Sequence, residues 1–206
     1  DDPYLHGSLL SKGYYVEDVV AGTQAASYFA NHDLVILFDV VSSSNTCALN
    51  LGSLIQSKRM LNLKAFMYGK SGWPTGAGAN YTDPNAIRVA TIATNYTSHP
   101  IFSNLTLSGN DITLVDAGGT YRALQGITTP GSGTVIATIQ NTSAAAAIIE
   151  DNTTESAMYL CIGYANGGAT YGLTNISADG KKLLDNAVSY LLGDTKFIPT
   201  TTGLHN

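Results

Sequence analysis

The chain has 206 residues, of which 44% are hydrophobic and 12% charged, with a formal net charge of −5. This length fills one sizeable core, and the charged fraction lies far below the roughly 25% of average soluble domains. The acidic balance leaves no basic footprint for nucleic acid, and no apolar run reaches the roughly 18 residues that span a membrane.

In chain order, "YLHGSLLSKGY" (4–14) predicts a short helix stopped by Gly13. "YYVEDVV" (14–20) predicts a strand, and "TQAASYFANH" (23–32) a helix with Thr23 as N-cap. "DLVILFDVV" (33–41) is apolar enough for a strand covered on both faces. "ALNLGSLIQSKRML" (48–61) has helical spacing, with Leu49, Leu54, Ile55 and Leu61 on one side. "LKAFMYG" (63–69) predicts another buried strand. This β-α-β-α-β alternation implies an α/β fold, a parallel sheet flanked by helices.

The second half reads differently. "AIRVATIAT", "DITLVDA", "GTVIATI", "AAAAIIE" and "AMYLCIGY" are short β-rich runs between turn residues, which predicts antiparallel additions or a meander. A last helix is capped by Ser177, carries Leu183, Leu184, Ala187, Val188, Leu191 and Leu192 as one stripe, and stops at Gly193. Residues 1–193 form a single domain in this reading, and 194–206 an extended, exposed tail.

Polarity comes from neutral side chains: 23 Thr, 17 Ser and 15 Asn. Six N-x-S/T sequons fall at Asn80, Asn95, Asn104, Asn141, Asn152 and Asn175. Low charge, many hydroxyls and surplus acceptor sites point to an extracellular, glycosylated protein. Cys47 and Cys161 have no C-x-x-C spacing. They are a disulfide candidate or two separately buried thiols.

At "FMYGKSGW" (66–73), Ser71 follows an apolar run in a glycine turn, as a nucleophile elbow would. Gly69 fits that motif, but Trp73 stands where its second glycine belongs. A serine nucleophile also needs a base. Of His6, His32, His99 and His205, His6 has the best placed partner position, while His99 sits in a turn where imidazole bonds backbone. Asp1, Asp2 and Asp39 are candidates to meet at the strand ends, where parallel-sheet sites form. The expectation for Asp39 is a solvent-facing or loop-capping role. "IIEDNTTE" (148–155) gathers Glu150, Asp151 and Glu155 without the spacing of a calcium loop, and a solvated turn is expected there. "GYANGGATYG" (163–172) lacks the lysine and the following helix of a phosphate loop. No cofactor or metal is implied. Trp73, Tyr164, Tyr171, Phe197 and Ile198 are the candidates for subunit or glycan contacts.

"SHPIFSNLT" (98–106) and "AMYLCIGYANGGATYGLTNISADGKKLLDNAVSYLLG" (157–193), with "HDLVILFDVV" and "LKAFMYGKSGW" as middle strands, resemble the ThuA-like branch of the class I glutamine-amidotransferase-like superfamily. The resemblance covers nearly the whole chain and implies a flavodoxin-like parallel sheet between helices. Two features depart from the family. Its usual first strand is not found before "DDPYLHG", so the expectation is either that the chain is a fragment or that the gap is filled from elsewhere, one solution being a strand donated by another subunit, with Phe197 and Ile198 as donor candidates. Tyr164 also stands where the family tends to have His, and tyrosine is a poor base at neutral pH. The reading is therefore a non-catalytic extracellular or cell-surface structural protein, self-associating and glycosylated, with no nucleic acid partner and no membrane span. The alternatives are a glycan-acting hydrolase, a carbohydrate-binding module, or an ancillary domain of a larger secreted enzyme.

Overall fold

The computed structural model describes residues 3–80, 89–116, 124–140, 142–154, 157–162 and 176–193. The fold is mixed α/β. Strands β1 (Leu34–Leu37), β2 (Arg59–Asn62) and β9 (Ala157–Ile162) pair in parallel, in that order. On the far side of β9 the pairing turns antiparallel, through β8 (Thr142–Thr154), β7 (Thr134–Ile139), β4 (Val89–Ile92) and β5 (Asp111–Thr113). A further antiparallel pair, β3 (Gly78–Asn80) and β6 (Gln125–Ile127), joins β8 where Ile127 meets Ala146. The expected division between a parallel first half and an antiparallel second half holds, and β9 crosses it by returning to the parallel group.

Side chains alternate along β1 and β2, so the sheet has two apolar faces. Leu61 joins one cluster with Leu5 and Leu9 of α1 (Pro3–Ser11) and with Leu183, Leu184, Ala187, Val188 and Leu191 of α3 (Ala178–Leu192). Val35, Leu37 and Met60 join the other, with Cys47, Ala48 and Leu51 of α2 (Thr46–Leu51), Met67, Tyr68 and Trp73. Asp185 of α3 fastens α1 to the first face. It accepts from the Tyr4 hydroxyl (2.9 Å) and the Ser8 hydroxyl (2.8 Å), and pairs with Lys12 (2.8 Å).

The three predicted helix ends with the strongest signals are as expected. Ser177 caps α3 by accepting from the Gly180 amide at 2.8 Å, and Gly193 ends it at φ 70°. Gly13 ends α1 at φ 85°. Other expectations fail. "TQAASYFANH" forms only a single 3-10 turn, Ala26–Phe29, capped by Ala25 and not by Thr23. "ALNLGSLIQSKRML" is α2, a further 3-10 turn at Gly52–Leu54, and then β2 itself. The parallel strand thus lies earlier than "LKAFMYG", whose Ala65–Met67 is a 3-10 turn. "YYVEDVV" is no strand, because no neighbour among the described residues offers it a ladder. Tyr14 and Val16 nonetheless pack against the first cluster, and Val19 and Ala21 against the second.

Candidate functional site

The C-terminal ends of β1 and β2 carry the most unusual polar group in the described residues. The Asn62 side chain accepts from the Lys64 amide (2.9 Å) and donates to the Lys64 carbonyl (3.1 Å), which folds the chain sharply as β2 ends. The Lys64 side chain then runs back over β1, and its ammonium donates to the Asp39 carbonyl at 2.6 Å. Asp39 is 1% exposed and Lys64 7%. Burial pulls the Lys64 ammonium below its ordinary pKa, and the Asp39 charge partly opposes that. The expectation of a solvent-facing or loop-capping Asp39 is therefore overturned: it lies inside the protein with a lysine beside it. A buried amine at strand ends belongs to the repertoire of covalent catalysis, yet here it is held against a backbone carbonyl.

The suggested Ser71–His6 pair is not brought together. Ser71 is exposed in the turn between Tyr68 and Trp73, which pack on the second face. His6 lies on α1, over the first face, and sits 2.8 Å from Asp18. Ser71 also follows a 3-10 turn instead of a strand, so the elbow geometry is missing. Trp73 is core, 6% exposed, with its indole donating to the Ala48 carbonyl at 3.0 Å. A Cβ on Gly52 would come within 2.7 Å of the Trp73 ring, which explains the glycine there. Trp73 is thus not an interface residue.

The other histidines are tied to carboxylates as well. His32 is 2.9 Å from Glu17, which also accepts from the Tyr28 hydroxyl. His99 accepts from the Ile101 amide (3.4 Å), as its turn position suggested, and its other nitrogen is 3.4 Å from Glu150. The Tyr190 hydroxyl of α3 bonds to the same Glu150 oxygen. Glu150 and Asp151 belong to the long strand β8, with Glu150 buried. The expected solvated turn at 148–155 is thus a ladder, and Glu155 lies outside the described residues.

Asn95 and Asn104 are exposed, each in a turn, and Asn104 has φ 58°. Asn80 and Asn152 fall within β3 and β8. Asn141, Asn175, Asp1, Asp2, Tyr164, Tyr171, Phe197, Ile198 and His205 lie outside the described residues. Cys47 is a free buried thiol whose pKa burial pushes up, so the disulfide candidate with Cys161 is not formed. Among the described residues, no cluster of His, Cys, Asp and Glu could hold a metal ion, and no helix is long and apolar enough to cross a membrane. Sequence reasoning missed Lys64 and Asn62. The signal was a lone lysine inside the apolar run "LNLKAFM".

Compared with known proteins, the chain matches no family model and no curated protein.

Proposed function

We propose that this protein is a non-catalytic structural module of the cell surface or extracellular space, which self-associates and carries N-linked glycans. In this reading its parallel strands derive from a ThuA-like, flavodoxin-like sheet. The observation that carries the reading is the outer edge of β1. A Leu-Val-Ile-Leu strand of the buried, parallel kind has β2 on one side and, among the described residues, no strand on the other. Such an edge is a template for another polypeptide.

The side-chain chemistry supports the non-catalytic half of the reading. Each described histidine is engaged by a carboxylate, and Lys64 is spent on a carbonyl. Low charge supports close packing of copies, since like-charge repulsion is weak. Exposed turns at Asn95 and Asn104 suit glycan attachment. Light scattering across concentration and salt tests the assembly: masses of two copies or more are expected, and a monomer under every condition refutes it. Enzymatic deglycosylation of protein from its native host should lower the intact mass.

Asp39 favours one competing reading, a glycan-acting site at the strand ends. A glycosidase needs a second carboxylate nearby, whereas the charge beside Asp39 is that of Lys64. A glycan array with a hydrolase panel separates the two, and turnover there would favour the enzyme.

A further inference from the structure

We propose that the exposed face formed by Tyr15, Glu17 and Tyr28 is a binding site for a neutral pyranose sugar, the aromatic rings taking its C–H face and the Glu17 carboxylate its hydroxyls.

Two rings in water carry the first part of this. A tyrosine ordinarily buries its ring and keeps only the hydroxyl wet. Tyr15 is 90% exposed and Tyr28 47%, and these are the aromatic members of the large apolar side chains exposed among the described residues. They lie close together, near enough that a charge on Tyr15 bears on the Tyr28 hydroxyl. Exposed apolar surface that packing does not explain marks a contact site.

The platform is fixed in advance. Buried Phe29 meets the Tyr28 ring edge-on, with centroids 5.1 Å apart, and the His32 ring lies 6.3 Å away at an angle of 20°. The Tyr28 hydroxyl donates to one oxygen of Glu17, and His32 Nε2 donates to the other at 2.9 Å. A ligand therefore meets side chains that are already ordered, which lowers the entropy cost of binding. The bond from Tyr28, and then that from His32, hold the Glu17 carboxyl below its usual pKa, so it stands as an anion. An ionised carboxylate has about four acceptor positions. Tyr28 and His32 occupy one on each oxygen, which leaves each oxygen able to accept from a ligand hydroxyl.

The chemistry of the face selects the ligand. It offers aromatic surface and hydrogen-bond acceptors. Lys58, at the same turn, is bonded to the carbonyls of Ala30 and His32. Exposed Asp18 and Asp33 adjoin Glu17 and His32 in the chain, so an anionic ligand meets like charge. A cation finds less to attract it than the acidic count suggests, because Glu17 faces His32 and Asp18 faces His6 at 2.8 Å. A neutral pyranose matches what remains: a C–H face for the rings and adjacent hydroxyl donors for the two Glu17 oxygens. The site is independent of the self-association reading, and either can fail alone.

The test is an amide-shift titration of the isotope-labelled full chain with the methyl glycosides of glucose, galactose, mannose and N-acetylglucosamine. Methyl glucuronide and choline are the charged controls. At least one neutral glycoside should shift the Tyr15, Glu17 and Tyr28 amides saturably, with a Kd in the millimolar range. Glucuronide and choline should bind about tenfold more weakly or worse. Tyr15→Ala, outside the core, and Glu17→Gln should each weaken binding about tenfold, while Tyr15→Phe, which keeps the ring, should retain it. The proposal is overturned if none of the four glycosides gives a saturable shift well above the millimolar range. Glucuronide or choline binding as tightly as the best glycoside, or an unchanged affinity in Tyr15→Ala, would overturn it as well.

Discussion

The sheet has two outer edges along its main strand order, β1 and β5, and they are built on opposite plans. β5 is three residues long and includes Asp111, whose carboxylate accepts from the Thr91 hydroxyl (2.6 Å) and the Gln140 amide (2.7 Å). Chain bridges at Ser108–Asp111 and Val115–Ile176 bracket it, and Gly180 of α3 packs close on the Leu114 carbonyl. A short strand with an inward carboxylate repels further strands. β1 has no such guard: Leu34–Leu37 holds no polar side chain. The contrast teaches that the two edges differ in kind, one guarded by a short strand and a carboxylate and one wholly apolar.

The comparison breaks most visibly at the guarded end. Gly180→Ala should cost about 3 kcal/mol, because its Cβ would press on the Leu114 backbone, which cannot move aside cheaply. Urea denaturation reads this, and a loss near zero would mean that α3 does not clamp that edge. Asp111→Val should cost about 2 kcal/mol by orphaning two partners, and should also create association at the β5 edge, visible by sedimentation. Asp185→Ala removes the acceptor shared by Tyr4, Ser8 and Lys12. A cost of about 1–2 kcal/mol is expected for this partly buried cluster, with faster amide exchange in α1.

The smallest effect is a pH slope. Burial lowers the pKa of folded Lys64 from its ordinary 10.5. In the alkaline range below 10.5 the unfolded chain therefore holds a proton that the folded chain has lost, so stability rises with pH there. Denaturation between about pH 8 and pH 10 should show a Lys64 component that vanishes in Lys64→Met. At neutral pH that variant should be less stable, since it leaves Asp39 buried without the positive charge beside it and its carbonyl without a donor. Identical slopes in both proteins would mean that Lys64 keeps its ordinary pKa.

The sequence was most legible where local chemistry decides the outcome. Ser177 and Gly193 bound α3 because a side-chain cap and a left-handed residue act within one turn. "DLVILFDVV" could be read because a doubly covered strand is apolar throughout. "SKRML" misled because Arg59 and Lys58 disguise the start of β2, and "KAFM" because an apolar run fits a tight 3-10 turn as well as a strand. "YYVEDVV" has the pattern of a strand and no ladder, and pairing is a property of neighbours that a local pattern cannot report. Of the candidate site, Asp39 was visible but not its burial. Lys64 was passed over, because only the fold sets its ammonium against the end of β1.

The pairing of β2 with β9 has a consequence for how the chain is made. Met60 meets Tyr159 and Leu61 meets Leu160, so the parallel group is joined by residues about a hundred positions apart. At ribosomal speeds of about 5–20 residues per second, β1 and β2 emerge roughly 5–20 s before the strand that completes them. During that interval both flanks of the pair are unpaired, and they bear the most apolar strand of the first half. Birth of this protein is therefore a period of sticky, half-built sheet, in which folding depends on late-arriving residues more than on the order of translation.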